Sequence, residues 1–171
     1  MKTKKIEIGE IAKKVDPIVW MESNWGLVTA ESDGKINTMT VAWGAFGNVW
    51  WKKTVILYIR PQRYTKEFID KDERFTLTFF EGRKKEMTYL GSNSGRDIPD
   101  KIERSGLHAV DIDGQPTFEE GRYVLLLKTL YQQPMEQTCF ADPAFGRENY
   151  PDKDYSEIYI AEIESAYEIE K

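Results

Sequence analysis

The chain has 171 residues, of which 40% are hydrophobic, 31% charged and 13% aromatic, with a net charge of −5. That balance excludes a disordered polymer and fits one folded domain over residues 1–171. The acidic total, with no long basic run, excludes nucleic acid as the main partner. One Cys and one His exclude an internal disulfide and make a poor start for a zinc site.

The opening "MKTKKIEIGEI" begins basic, is interrupted by Glu7 and Glu10, and has no apolar signal region. No other stretch approaches the length of a membrane span, so the expectation is a cytoplasmic chain with no membrane partner. Residues 18–31, "IVWMESNWGLVTAE", are rich in Trp, Val and Thr and read as extended. "SDGK" then supplies an Asp-Gly hairpin turn, and "INTMTVAW" returns antiparallel.

That returning strand has an odd alternation. One face carries Ile36, Thr38, Thr40 and Ala42, the other Asn37, Met39, Val41 and Trp43, so neither is oily or ionic. Two readings fit: an edge strand with a solvated face, or a surface where a flat heterocycle approaches the backbone beside Trp43. "GAFGNVWW" breaks the pattern with two glycines. "TVILYIR", residues 54–60, is a β-branched and aromatic run expected to be buried on both faces.

Pro61 ends that strand, and "QRYTKEFIDKDE" changes to helical period, with Tyr64, Phe68 and Ile69 at helical spacing. Arg60, Arg63, Tyr64 and Thr65 stand at the helix start, where free N–H groups, a guanidinium fork and a hydroxyl make a phosphate cradle. The alternative is that Thr65 caps the helix and both arginines pair with carboxylates. "RFTLTFF", residues 74–80, alternates as a strand, and "RKKEMTYLG" and "DIPDKIERSG" read as short helices closed by Gly. Between those helices Ser92, Asn93, Ser94 and Gly95 form a polar loop, and Arg96 and Lys101 add positive charge. This is either a second anion site or a surface connection with Asp97 as cap. Neither a Walker loop nor a G-x-G-x-x-G follows a strand.

"LHAVDI", "PTFEEG" and "RYVLLLKTLYQQ" are strands again, and residues 134–155 read as one long loop. "SEIYIAEIESAYEI" closes as a strand continuing over a bend. Antiparallel strands outnumber helices, which predicts a mainly β protein, a barrel with helical insertions. His108, in "GLHAVDIDG", is expected to be structural or at the surface. Any redox or transfer chemistry then falls to an organic cofactor.

Taken in order, these stretches resemble the flavin reductase-like family of FMN-binding split β-barrels, which includes the flavoredoxins. The likeness runs from about Trp25 to Ile163 and rests on "WGLVTAESDGKINTMTVAW", "RPQRYTKEFI" and "SGRDIPDKI". The resemblance implies an antiparallel split barrel and a homodimer with FMN near the subunit interface. It implies that Asn37, Thr38, Met39, Thr40, Val41, Ala42 and Trp43 run beside the isoalloxazine, and that Arg63, Tyr64 and Thr65 hold the phosphate, next to Arg60. Ser94, Gly95, Arg96 and Lys101 are expected to touch the cofactor from the other side. The expectation is a flavin reductase with NADH or NADPH as co-substrate and no metal; hydride transfer to a flavin requires no catalytic side chain. A flavoredoxin-like carrier served by an electron-transfer protein, and a non-enzymatic binder of another anionic aromatic ligand, are the rival readings. The chain departs from the family at "DKDYSEIYIAEI", where Tyr155, Ser156 and Ala161 replace an imidazole motif and a Gly, and at "VLLLKTLY", which lacks a Cys.

Overall fold

In the computed structural model, which describes residues 1–170, ten strands carry the architecture. They are β1 (Lys2–Ile6), β2 (Gly26–Ser32), β3 (Lys35–Val41), β4 (Gly44–Val49) and β5 (Lys52–Ile59). These are followed by β6 (Arg74–Phe79), β7 (Ala109–Ile112), β8 (Gln115–Phe118), β9 (Tyr123–Pro134) and β10 (Glu157–Glu170). The helices are α1 (Ile8–Lys14), α2 (Pro17–Val19), α3 (Tyr64–Asp72), α4 (Lys84–Ser92), α5 (Lys101–Ser105) and α6 (Pro143–Asn149). No described helix is long and apolar enough to cross a membrane.

The main sheet is antiparallel, ordered β3-β2-β6-β9-β10-β5-β4, with β1 added to β10. β3 and β4 stand at opposite ends of that order, yet only Ala42 and Trp43 separate them in sequence. Such a link reaches about 11 Å, whereas the same strands laid flat would span about 29 Å. The sheet must therefore curl until its two edges meet. β10 follows the curve through register shifts at Ile160/Ala161 and Ile163/Ser165, since bulges bend a strand and raise its twist. Its first half pairs with β5 and its second half with β1, so the expected continuation over a bend is what the structure shows.

The barrel is filled by alternate residues, among them Val55, Leu57, Ile59, Phe75, Leu77, Phe79, Leu125, Leu127, Tyr159 and Ala161. A second cluster outside it, with Leu27, Phe80, Met87, Leu90, Leu107 and Phe118, seats α4 against the sheet. In β5 only one face is fully buried, because Ile56 and Tyr58 are half-buried; the expectation of burial on both faces is corrected.

Two segments differ from their sequence reading for the same reason. Residues 18–31 were expected to be extended, but α2 and a π-helical turn, Trp20–Asn24, occupy the first part and β2 starts only at Gly26. Residues 134–155 were expected to be a loop, but contain a 3-10 turn, Gln137–Cys139, and α6. In each an Asp caps a helix that has Pro in its first turn. Asp16 accepts from the N–H groups of Ile18 and Val19 at 3.0 and 3.2 Å, and Asp142 from Ala144 at 2.8 Å. The cap and the preset φ of proline outweigh the β-preference of Trp and Val. β1 and α1 lie in a stretch to which the sequence reading assigned no element, and "GAFGNV", read as an interruption, is the edge strand β4.

Three hairpins use two-residue turns with both φ angles positive. Asp33-Gly34 joins β2 to β3 and Asp113-Gly114 joins β7 to β8, the turn chemistry such geometry favours. The β4–β5 turn has instead Trp50 and Trp51, at φ 52° and 62°. Trp50 packs edge-on to Tyr131 with ring centroids 6.3 Å apart, while Trp51 is 97% exposed. A left-handed bulky residue costs about 1–2 kcal/mol. Trp51→Gly is therefore expected to stabilise the fold by about 1 kcal/mol and raise the thermal midpoint by roughly 2–4 °C. A lower midpoint in a melting experiment would mean that the Trp51 ring is engaged elsewhere.

Candidate functional site

The β4–β5 pairing runs one residue past Gly44, the Tyr58 N–H donating to the Trp43 carbonyl at 3.4 Å, and beyond it β3 passes β5 without forming a ladder. The split opens into a cavity of about 180 Å³ between residues 39–43 and residues 58–60, with Arg63 at one end. A second cavity of about 160 Å³ is lined by Asn37, Met39, residues 62–65, residues 91–95 and Lys101. Both include Met39 and Arg63, so they adjoin along β3 and are named together as the trough.

Close backbone approach shapes the second cavity. A Cβ on Gly95 would run into the Asn37 amide oxygen, and one on Gly91 would sit 3.0 Å from the Thr40 hydroxyl oxygen. The Asn37 amide donates to Thr65 Oγ1 at 2.9 Å, which locks β3 to the first turn of α3. Arg63, not Thr65, is the N-cap residue of α3, and no side chain caps that end. The free N–H groups and dipole of α3 therefore face the trough.

The electrostatics set this pocket apart. Arg60 is neutralised: its guanidinium donates to Asp154 at 2.6 Å and to the Asn149 carbonyl at 2.8 Å, between the rings of Trp43 and Tyr150. Arg63 has no carboxylate partner among the described residues and donates to the Gly91 carbonyl at 2.9 Å. Burial, and then the neighbouring Arg60, press the Arg63 pKa below its ordinary value. Lys101 is 2% exposed and also lacks a carboxylate, its ammonium resting on the carbonyls of Thr38, Leu90 and Asn93. Burial, then the charge of Arg63, lower its pKa to about 8. Two half-desolvated cations thus converge on a polar cavity that holds no anion of its own.

Of the residues singled out in the sequence, the trough gathers Asn37, Met39, Thr40, Val41, Ala42, Trp43, Arg60, Arg63, Tyr64, Thr65, Ser94, Gly95 and Lys101. Thr38 and Arg96 lie outside its lining. The Thr38 hydroxyl is fully buried, hydrogen-bonded to Thr29 Oγ1 at 2.9 Å and donating to the Val28 carbonyl at 3.0 Å. Arg96 lies over the Tyr64 ring and pairs with Glu67. The odd polar alternation of β3 thus has a local cause: Thr38 bonds to β2, Thr40 to the Met87 carbonyl in α4, and Asn37 to α3. Ser92 and Asn93 of the polar loop line the trough too, as do Tyr58 and Gln62, which were not singled out although each adjoins a motif that was.

On the other side of Trp43 the trough continues into an open groove of about 820 Å³, lined by Pro17, Ile18, Met21, Trp25, Ala45 and Phe46 with Glu22 as its only charge. Tyr150, Phe140 and Tyr155 cluster ring against ring, and the Tyr150 ring lies beneath Arg60. The Tyr150 hydroxyl donates to Ser156 Oγ at 3.1 Å, so the segment is packed onto the barrel.

No protein-family model matches the sequence, and no curated protein matches it. Solved structures do. An FMN-binding domain of a flavin reductases-like enzyme from Shewanella baltica aligns with TM-score 0.72 and 18% identity over 98% of this chain and 77% of that one. Flavoredoxin from Methanosarcina acetivorans gives 0.66 and 18% over 85% and 68% of the two chains. Flavoredoxin of Desulfovibrio vulgaris gives 0.63 and 20% over 84% and 67%. The chain thus has the FMN-binding split-barrel fold, as the resemblance implied; at this identity the likeness is one of fold.

His108 lies apart from the trough. Its exposed ring bonds to Glu120 Oε1 at 2.6 Å, and Glu120 also accepts the His108 N–H at 3.1 Å. The hydrogen bond to Glu120 and its charge raise the imidazole pKa above 6.5. A raised folded pKa gives stability that is complete below the unfolded value and lost as pH rises through the folded one. His108→Ala is therefore expected to lower the melting temperature slightly at pH 6 and not at pH 9. A difference independent of pH would remove the charge from that account.

Proposed function

We propose that the chain binds FMN in the trough along β3 and exchanges electrons through it, with NADH or NADPH as the hydride donor of a flavin reductase. The observation that carries this reading is the pair of cations, buried Lys101 and half-buried Arg63, without carboxylate partners at a polar cavity of about 160 Å³. Buried charges are ordinarily paired, so an anionic ligand is the missing partner. The donor set fits one: a guanidinium fork, a helix start, the Thr65 hydroxyl and glycines that let the backbone close in.

Bound FMN would supply the ring that accepts and gives up electrons. The chain's own residues do the rest. Arg63 and the start of α3 hold the phosphate, while residues 39–43 and Tyr58 flank the ring's groove. Trp43, near Arg60, walls it toward the open side, and Tyr150 lies against the Arg60 guanidinium. No side chain is needed as acid or base, so no catalytic residue is assigned.

In this reading residues 1–171 act as one domain in a cytoplasmic homodimer. What supports the dimer is the outer face of the barrel beside the trough. There Ile56, Ile160 and Tyr131 form one cross-strand row and Tyr58 and Ile158 another, all half-buried or exposed. A second reading, an electron carrier fed by a partner protein, is favoured by the lining of the 820 Å³ groove. It carries Glu22 and no cation to meet a dinucleotide's pyrophosphate.

Purified protein is expected to be yellow or to become so with added FMN; a colourless chain that takes up none contradicts the cofactor. Anaerobic titration with NADH and NADPH separates the two readings, because a carrier leaves the flavin bands unbleached. Arg63→Ala is expected to weaken FMN binding by about 1.5–3 kcal/mol in a fluorescence titration. A loss below about 1 kcal/mol would reduce Arg63 to a surface charge.

A further inference from the structure

An ammonium has three N–H bonds, and Lys101 uses all of them on the main chain. They reach Thr38 O at 2.7 Å, Leu90 O at 3.0 Å and Asn93 O at 2.8 Å. The first acceptor belongs to the middle of β3, the floor of the anion cavity. The others belong to the end of α4, from which residues 91–95 run along its wall. No hydrogen is left over for a ligand.

We infer that Lys101 is the positioning residue of this pocket: it ties the β3 floor to the 91–95 wall and lends its uncompensated charge to a phosphate monoester that it does not touch. The inference rests on the flavin reading for its ligand, and gives Lys101 a different role from the direct contact implied by the family resemblance.

The surroundings leave that charge unopposed. β3 carries only Lys35, and the start of α3 brings Arg63 and Tyr64. α4 carries Lys84, over the Trp25 ring, Lys85, Tyr89, and Glu86, which pairs with Arg83 at 3.0 Å. The loop before α5 carries Arg96, paired with Glu67, Asp97, and Asp100, which is held by Arg104 at 2.8 Å; Glu103 completes α5. Arg63 is the charge that acts on Lys101, and it is itself a cation. With a pKa of about 8 in the free chain, Lys101 is partly neutral in mild alkali. A phosphate dianion in the cavity favours the charged form, so binding must draw a proton onto it.

The test is calorimetric titration of FMN into the protein at pH 8.5 in buffers of different ionisation enthalpy. Wild type is expected to take up about half a proton or more per FMN at pH 8.5, falling toward zero at pH 7. Lys101→Met should bind FMN at least about tenfold more weakly, without uptake. Lys101→Arg keeps a charge that does not titrate here, so it should stay close to wild-type affinity and also show no uptake. Wild-type binding without uptake, or unchanged affinity in Lys101→Met, would overturn the assignment. If either variant fails to fold, wild-type uptake alone decides. A wild type that binds no FMN at any pH sinks the flavin reading instead, and the same titration with inorganic phosphate then decides the role of Lys101.

Discussion

Two cations held by carbonyl oxygens rather than by carboxylates are the constraint on which the arrangement of this protein turns. Lys101 joins β3 to the end of α4, and Arg63 joins the start of α3 to Gly91. Placing positive charge in a poorly hydrated site without a counterion costs several kcal/mol. Main-chain dipoles offset part of that cost by giving every ammonium proton an acceptor. The remainder is a standing preference for an anion, and it is confined to a cavity a few ångströms across. Arg60, one turn of chain away, shows the contrast. With Asp154 against it and aromatic rings on either side, it is a structural arginine, and it leaves Arg63 as the group free to meet a ligand.

The scaffold puts those charges together through one short connection. Because Ala42 and Trp43 must carry the chain from one edge of the sheet to the other, the barrel closes on itself without a ladder between β3 and β5. An unlaced seam leaves space, and backbone groups along it, where a flat molecule can lie. The same link places Trp43 between the trough and the wider apolar groove. The cation-lined cavity, the cavity beside residues 39–43 and the open groove thus follow in sequence along one strand and its exit. The glycines at 91 and 95 are needed where α4 and its loop press against Thr40 and Asn37.

Much of this could be read from residues alone, and the gaps have physical causes. The Asp-Gly turn before β3, the change of period after Pro61 and the strand at 74–80 are local signals, and the structure repeats them. The stretches 18–25 and 134–155 were misread because β-prone and aromatic residues were given more weight than an Asp-Pro pair. In both places the carboxylate capped a helix start. The polar side chains of β3 have a nearer cause than a ligand, since Thr38 and Thr40 serve neighbouring elements of the protein itself. The charges at 63 and 101 stood out in sequence, but their lack of carboxylates did not. Pairing depends on which of the chain's many acids fold back to reach them, and Asp154 reaches Arg60 from 94 residues away.

The central claim is that a phosphate group, and not merely an aromatic ring, is what this pocket selects. The most direct measurement compares FMN with riboflavin, the same ring without the phosphate, by flavin fluorescence titration at neutral pH. The account predicts that FMN binds at least about tenfold more tightly, the least expected of a charge-assisted bond from Arg63 together with the nearby charge of Lys101 and a helix start. Equal affinities for the two flavins would contradict it.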